Sequence, residues 1–364
     1  MQLIKNTYVQ DLEAGREAEA PFLVFSQSKG RTNRGAVYLN VELGDRTGRI
    51  QGKVWDGAEA MAPVLAEGAV AMVRGYVDSY RGSLQFVIRQ AQSPKPEDID
   101  WAEYLRASRR SEAEMKTELW GLVNSVRDAD YRVLLTAILG HPEVADKFFR
   151  MPAAKSMHHA YLHGLLEHSL SVGRLAEVTA AHYPKLNASL LIAGAILHDL
   201  GKIWEFLPPP RADYSTIGRL KGHLVMGCEF IGRVGEDIPA FPAQKMELLQ
   251  HLILSHHGEP EFGAPVRPQI LEAIVLHHLD NIDAKIEAVN SFLNSETDAE
   301  GWSAYHRLFG SYFFRTPEFE QTVDESPEPE KPIEAQEAEN GAEEAGAGED
   351  GGSSEEMVNE GRLF

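Results

Sequence analysis

The sequence predicts an α+β multidomain protein with an N-terminal five-stranded β-barrel, an all-α domain behind it and a disordered acidic tail. Three observations carry this. Residues 1–95 fall into five stretches of alternating apolar and polar residues punctuated by Gly, Asp and Asn, the pattern of short strands joined by tight turns. From Trp101 onward apolar residues recur every three or four positions, as at Leu119, Leu122, Val126, Val133, Leu134 and Ile138, which is the helical period. Beyond Pro317 the chain reads ESPEPEKPIEAQEAENGAEEAGAGEDGGSSEE, with too little apolar surface to offset its ordering entropy.

A length of 364 residues leaves room for two cores. We place a barrel at 1–95, a helical linker at 96–150, a helical domain at 151–315 and the tail at 316–364. The predicted strands are FLVFSQS, AVYLNVELGD, GRIQGKVWD, AVAMVRGYVDSY and SLQFVIRQAQ, with a short helical patch, GAEAMAPVLAEG, between the third and fourth. Five strands with a helix there match an OB-fold barrel. The phrase LGDRTGRIQGKVWD is similar to nucleic-acid-binding OB domains in particular.

The net charge of -20 is unevenly spread. Residues 316–364 hold sixteen acids and two bases, a net of -14 that leaves -6 for the rest, whereas 21–90 carries nine bases and six acids. A locally basic barrel matters more to a polyanion than total charge. Such a barrel stacks bases on exposed rings while cations track the backbone. The rings are Tyr38, Trp55, Tyr76, Tyr80 and Phe86; the cations are Lys29, Arg31, Arg34, Arg49, Lys53, Arg74, Arg81 and Arg89. Phe86 and Trp55 serve equally well as core. Tyr80 beside Arg81 at a turn, and Lys29, Arg31 and Arg34 crowded into a polar loop, are the better strand contacts. The lone Cys228 forms no intramolecular disulfide, no apolar run reaches membrane-spanning length, and no export signal opens the chain, so a cytoplasmic, non-membrane protein is expected.

The helical region concentrates metal-ligand types. From His158 to Lys202 the chain reads HHAYLHGLLEHSLSVGRLAEVTAAHYPKLNASLLIAGAILHDLGK, followed by His223, the pair His256 and His257, and Asp280. His168, His198, Asp199, His223, His256, His257 and Asp280 are seven candidate ligands, enough for two ions. A carboxylate at the end of an apolar helix such as LLIAGAIL is costly to bury without a compensating cation. The oxygen and nitrogen ligand set favours manganese, with iron, cobalt or magnesium as alternatives. Most other histidines read as structural, although His159 and His163 are placed to approach substrate. The spacing in HGLLEH is one residue too long for an inverted zincin motif. Arg211, Arg219 and Lys221 in a Pro-rich basic loop serve either as strand contacts or as solvated charges.

This set and its order resemble the HD superfamily of metal-dependent phosphohydrolases, with the paired signature on His198 and Asp199 in ILHDLGK. With the barrel, and with LILSHHGEPEFG as the most specific phrase, the whole resembles the YhaM-type 3'-to-5' exoribonucleases. The resemblance implies His168, His198, Asp199 and Asp280 around one ion and Asp199, His223, His256 and His257 around another, with Asp199 bridging. Asp283 is the alternative to Asp280, and His277 an outer donor. Asp199 and Lys202 are the implied catalytic residues, Lys202 on a phosphate oxygen; a helix-capping surface lysine is its bland reading. The strand contacts are then Lys29, Arg31, Arg34, Tyr80, Arg81, His159, His163 and Arg219. The implied activity is 3'-to-5' hydrolysis of single-stranded RNA to 5'-mononucleotides, with single-stranded DNA left open. Two rivals are an HD phosphohydrolase acting on small or cyclic nucleotides and a noncatalytic nucleic-acid binder with a structural metal. The first lacks a GYP triplet near His223; against the second, structural sites are usually closed and cysteine-rich.

Overall fold

The computed structural model describes residues 4–32, 35–80, 82–154, 159–210, 213–295 and 297–316. Arg34, Arg81, His158, Arg211 and the acidic tail from 317 lie outside the described residues. The chain divides into two compact units, Met1–Ala288 and Val289–Phe364.

Alternating apolar residues produce the first part of the larger unit. Strands β1 (Glu17–Arg31), β2 (Val37–Asp45), β3 (Gly48–Val54), β4 (Val70–Tyr80) and β5 (Ser83–Gln92) close a barrel in the order β1-β2-β3-β5-β4. All neighbours are antiparallel except β3 and β5. On β2, Leu39, Val41 and Leu43 point inward and are fully or almost fully buried. Helix α1 (Ala58–Met61) lies between β3 and β4, and the Gln27 amide ties the turn after it to β1 by donating to the carbonyls of Ala62 and Leu65 at 2.8 and 2.9 Å. Phe86 is core, edge-on to Phe22 at 6.1 Å between centroids, whereas Trp55 is 46% exposed.

One expectation needs correction. Lys29 and Arg31 stand not in a polar loop but on β1, opposite Leu39 and Val37 of β2. Ladder hydrogen bonding to β2 carries the strand through these polar residues, which face water beyond the end of the buried stretch.

Residues 99–105 run back over the barrel, where Tyr104 packs with Leu23 and Val70. The chain then joins the helices through paired hydrogen bonds, Ser108 N–H to the Leu162 carbonyl and Leu162 N–H to the Arg106 carbonyl, each 3.0 Å. The helices there begin with α2 (Glu112–Ser125), α3 (Ala129–Leu139), α4 (Ala145–Arg150), α5 (Gly164–His182) and α6 (Ala188–Leu197). After them come α7 (Lys202–Glu205), α8 (Thr216–Glu236), α9 (Ala243–Ser255) and α10 (Leu271–Ser295). The stretch expected as a linker does more than link: Leu119, Leu122, Leu134, Leu135 and Phe148 share one core with Leu166, Ile196, Leu252 and Leu276. In the second unit, residues 297–316 are not helical but form a hairpin with bridges Thr297↔Ser303, Trp302↔Phe314 and His306↔Ser311. Among the described residues no helix is long and apolar enough to cross a membrane.

Candidate metal centre

Each candidate ligand is delivered by the end or the buried face of an apolar helix. His168 lies on the face of α5 that buries Leu165, Leu166 and Leu170. Helix α6 is buried from Ser189 to Leu197, so the His198–Asp199 pair that follows is already out of water. Gly201 then lets the chain press against α8, because a Cβ there would sit 1.9 Å from the carbonyl oxygen of His223. Helix α8 breaks at Gly222, whose φ of 73° is left-handed, and His223 opens its second segment. Helix α9 ends at Ser255 and hands on His256 and His257. Helix α10 contributes Asp280 and, one turn later, Asp283.

The proton positions follow from what each ring faces. The Nδ1 of His198 faces the Ala195 carbonyl at 2.8 Å, that of His256 the Ile253 carbonyl at 2.7 Å, and that of His257 the Phe262 carbonyl at 2.9 Å. His168 Nδ1 faces an Asp283 oxygen at 2.7 Å and His223 Nδ1 a Glu205 oxygen at 3.0 Å. An acceptor requires a donor, so all five rings carry hydrogen on Nδ1 and aim Nε2 into the site. There the Nε2 atoms of His168 and His198 are only 3.1 Å apart, with Asp280 Oδ1 3.1 Å from His168. Two lone pairs that close repel unless positive charge lies between them.

Asp199 divides its oxygens between two groups. Oδ2 lies 3.4 Å from both His168 and His198, while Oδ1 lies 3.5 Å from His223 and 3.7 Å from His256. The Nε2 atoms of His223 and His256, with Asp199 Oδ1, are buried without a hydrogen-bond partner. Buried polar atoms are rarely left so, and a cation accounts for all three at once. Among the described residues, the sets able to hold a metal ion are His168, His198 and Asp280; His198, Asp199 and His256; His223, His256 and His257; and, behind His168, His159, His168 and Asp283.

The field within the site favours positive charge on one side. Burial by itself would depress His198, but the Asp199 and Asp280 carboxylates outweigh it and raise the imidazole to about 9. His168 moves the same way, burial being overcome by Asp199, Asp280 and Asp283. Asp199 and Asp280 stay well below the usual carboxylate range despite burial, Asp199 through Lys202 and the histidines, Asp280 through His168 and His198. On the other side burial dominates: His256 is lowered, and His257 falls to about 3 with help from His256 and His223. His256 and His257 are thereby kept neutral, the form that ligates.

The remaining predicted residues scatter in role. Lys202 is neither a surface cap nor open to solvent; it is buried, with Nζ 2.6 Å from Asp199 Oδ2. His159 is buried, with Nε2 3.0 Å from Asp283 Oδ2 and Nδ1 2.8 Å from the Tyr161 hydroxyl, which donates to Glu167, and it lines a cavity of about 400 Å³ with Ser171 and Asp283. Asp283 also accepts from Ser171, so it braces His168 from behind while Asp280 faces the cluster. His277 Nδ1 donates to the His256 carbonyl at 2.8 Å. His163 meets the Phe149 carbonyl at 2.6 Å and lines a cleft of about 410 Å³ with Trp101, Lys147 and Arg150. Arg219 pairs with Asp213 at 3.1 Å and Lys221 with Glu229 at 2.8 Å, both on the surface. On the barrel, Tyr80 is 58% exposed, and Tyr38 and Trp55 lie 5.1 Å apart with the Lys53 ammonium beside both rings. Sequence reasoning missed Glu205, which accepts both the backbone N–H and Nδ1–H of His223. Its signal was an acid one turn past Lys202 in an apolar context.

Comparison with known proteins adds to this geometry. A Listeria innocua protein named 3'-5' exoribonuclease YhaM is 32% identical over 313 residues, covering 85% of this chain and 98% of its own. Proteins of the same name from Geobacillus and Bacillus subtilis are 31% and 30% identical over 304 residues, covering 93% and 96% of their lengths. The chain belongs to the YhaM exoribonuclease family. Within this YhaM-family chain an HD domain matches residues 165–285, the span that holds all seven candidate ligands, and an OB-fold nucleic acid binding domain matches 26–93. The HD domain implies dependence on a divalent metal, and the donor set here fits one. The OB-fold domain and the exoribonuclease relatives together support binding of single-stranded nucleic acid.

Proposed function

We propose that this protein degrades single-stranded RNA from its 3' end to 5'-mononucleotides, with two divalent ions per chain, manganese foremost. It is a metal-dependent exoribonuclease by family and by its HD domain. The observation that best supports two ions is Asp199, whose separate oxygens face separate imidazole groups. One ion would be held by His168, His198, Asp199 and Asp280, the other by Asp199, His223, His256 and His257. Bound there, divalent ions supply a more acidic water and polarise phosphoryl oxygens.

The chain's own residues do the rest. Nδ1 contacts orient the five rings so that Nε2 faces the site, and Asp283 and Glu205 hold His168 and His223 in register. Lys202 keeps Asp199 ionised and lies close enough to the site to turn toward a phosphate oxygen. On the barrel, Tyr38, Trp55 and Lys53 offer two rings and a cation on one outer face, joined in our reading by Lys29, Arg31 and Tyr80. The single cysteine, Cys228, suits a cytoplasmic setting. The reading is tested by incubating the protein with manganese and 5'-labelled single-stranded RNA, beside a matched DNA strand. A descending ladder from the wild type, absent with Asp199→Ala, is expected; hydrolysis of small nucleotides alone would overturn it. Elemental analysis gives the ion count, and about one ion per chain would refute the bridging role.

A further inference from the structure

The hairpin after α10 has two unlike faces. Residues 301–316, GWSAYHRLFGSYFFRT, hold six aromatic residues, two arginines and no acid, in a chain whose net charge is -20. Its arms are tied by Ser303 N–H to the Phe313 carbonyl at 2.8 Å and His306 N–H to the Ser311 carbonyl at 2.9 Å. Asp298 fixes the start by accepting the Trp302 N–H at 2.8 Å. On the inner face His306 packs on Phe292 of α10 at 4.5 Å and on Phe309 at 4.9 Å, and Phe309 meets Phe313 at 5.4 Å. Packing is satisfied there.

Among the described residues of this unit, the outer face is left exposed. Trp302 and Phe314 form one ring pair and Tyr305 and Tyr312 another, each 5.1 Å between centroids. The four rings are 50%, 46%, 51% and 58% exposed. Arg307 is exposed at the turn beside them. Exposed rings beside a cation match the stacking surfaces that take unpaired bases, where any base will do because every base has a π-face. A second copy of the chain fits less well, because a twofold contact would set the exposed Arg307 beside these rings toward its own duplicate.

We infer that the outer face of residues 301–316 binds bases of single-stranded nucleic acid by stacking. The exoribonuclease reading supplies only the identity of the strand; the binding stands apart from turnover. The test is fluorescence anisotropy of labelled oligo(U) and oligo(dT), each longer than the roughly 16 nucleotides one OB barrel covers at most, with the full chain in EDTA. Trp302→Ala and the double change Tyr305→Ala with Tyr312→Ala should each weaken binding about tenfold. Tyr305→Phe with Tyr312→Phe keeps the rings and should bind as wild type. Affinity within about twofold of wild type for both alanine variants overturns the inference. So does a dimer that these variants dissociate while oligonucleotide affinity holds, which assigns the face to a second copy. If the alanine variants melt early, the decision falls to tryptophan quenching by oligo(U): the quench must shrink in Trp302→Phe, and an equal quench sinks the idea. Because binding is read in EDTA, a wild type that binds but does not hydrolyse defeats the exoribonuclease reading and leaves this one intact.

Discussion

Asp283 illustrates how far single residues can be read from their order in the chain. Asp280 and Asp283 lie one turn apart on α10, and sequence left both open as ligands. The structure separates them: Asp280 faces His168 Nε2, and Asp283 takes the proton side of the same ring. A carboxylate behind a ligating histidine fixes its tautomer and raises its basicity. Asp283→Asn should therefore weaken divalent metal binding by about 10–100-fold while His168 stays in place; competition with a chelating dye measures it. Unchanged affinity would mean that packing alone orients His168. Glu205 stood out only as an acid in an apolar context, and its role was illegible for a related reason. Its partner His223 is eighteen positions away, and only the break at Gly222 turns that backbone N–H toward it.

Between elements, the decisive contact is the close pass of α7 under α8. Gly201→Ala would push a methyl group into the His223 carbonyl, a backbone atom that cannot step aside. We expect a loss of about 1–3 kcal/mol by overpacking, read as a lower melting temperature, together with lower metal content because His223 shifts. A variant that melts and loads metal as wild type does would refute that constraint. The start of α3 offers a pH test. Asp128 caps the helix, accepting from the N–H groups of Asp130 and Tyr131, and pairs with Lys245. Burial alone would raise its carboxyl, but Lys245 and the two N–H groups win and hold it below its ordinary value near 3.8. A depressed carboxylate stabilises the fold above that ordinary value and loses its contribution as pH falls through the folded value. Asp128→Ala should cost about 1 kcal/mol at pH 7, with the gap to wild type closing as pH falls below 3.8 in denaturant titrations. A gap independent of pH would show that the charge is not what matters. These helices were visible in the sequence by period; their membership in the main core was not, because periodicity gives the apolar face and not its partner.

For the molecule as a whole, charge sets how a polyanion approaches. Removing residues 317–364 takes the net charge from -20 to -6. Association with labelled RNA should then quicken, most at low ionic strength where screening is weak. Stopped-flow rates at two salt concentrations check this, and equal rates would exclude any electrostatic role for the tail. Strand alternation, helical period and the HD pair were enough to determine the barrel, the helical character and the list of candidate ligands, since these are local signals written within a few residues of each other. Which face each histidine presents, which of two aspartates enters the site, the burial of Lys202 and the two-faced hairpin at 301–316 were decided only in three dimensions. Those features depend on residues tens to more than a hundred positions apart, such as His168 and Asp283, and proximity of that kind is a property of packed helices rather than of any stretch of sequence.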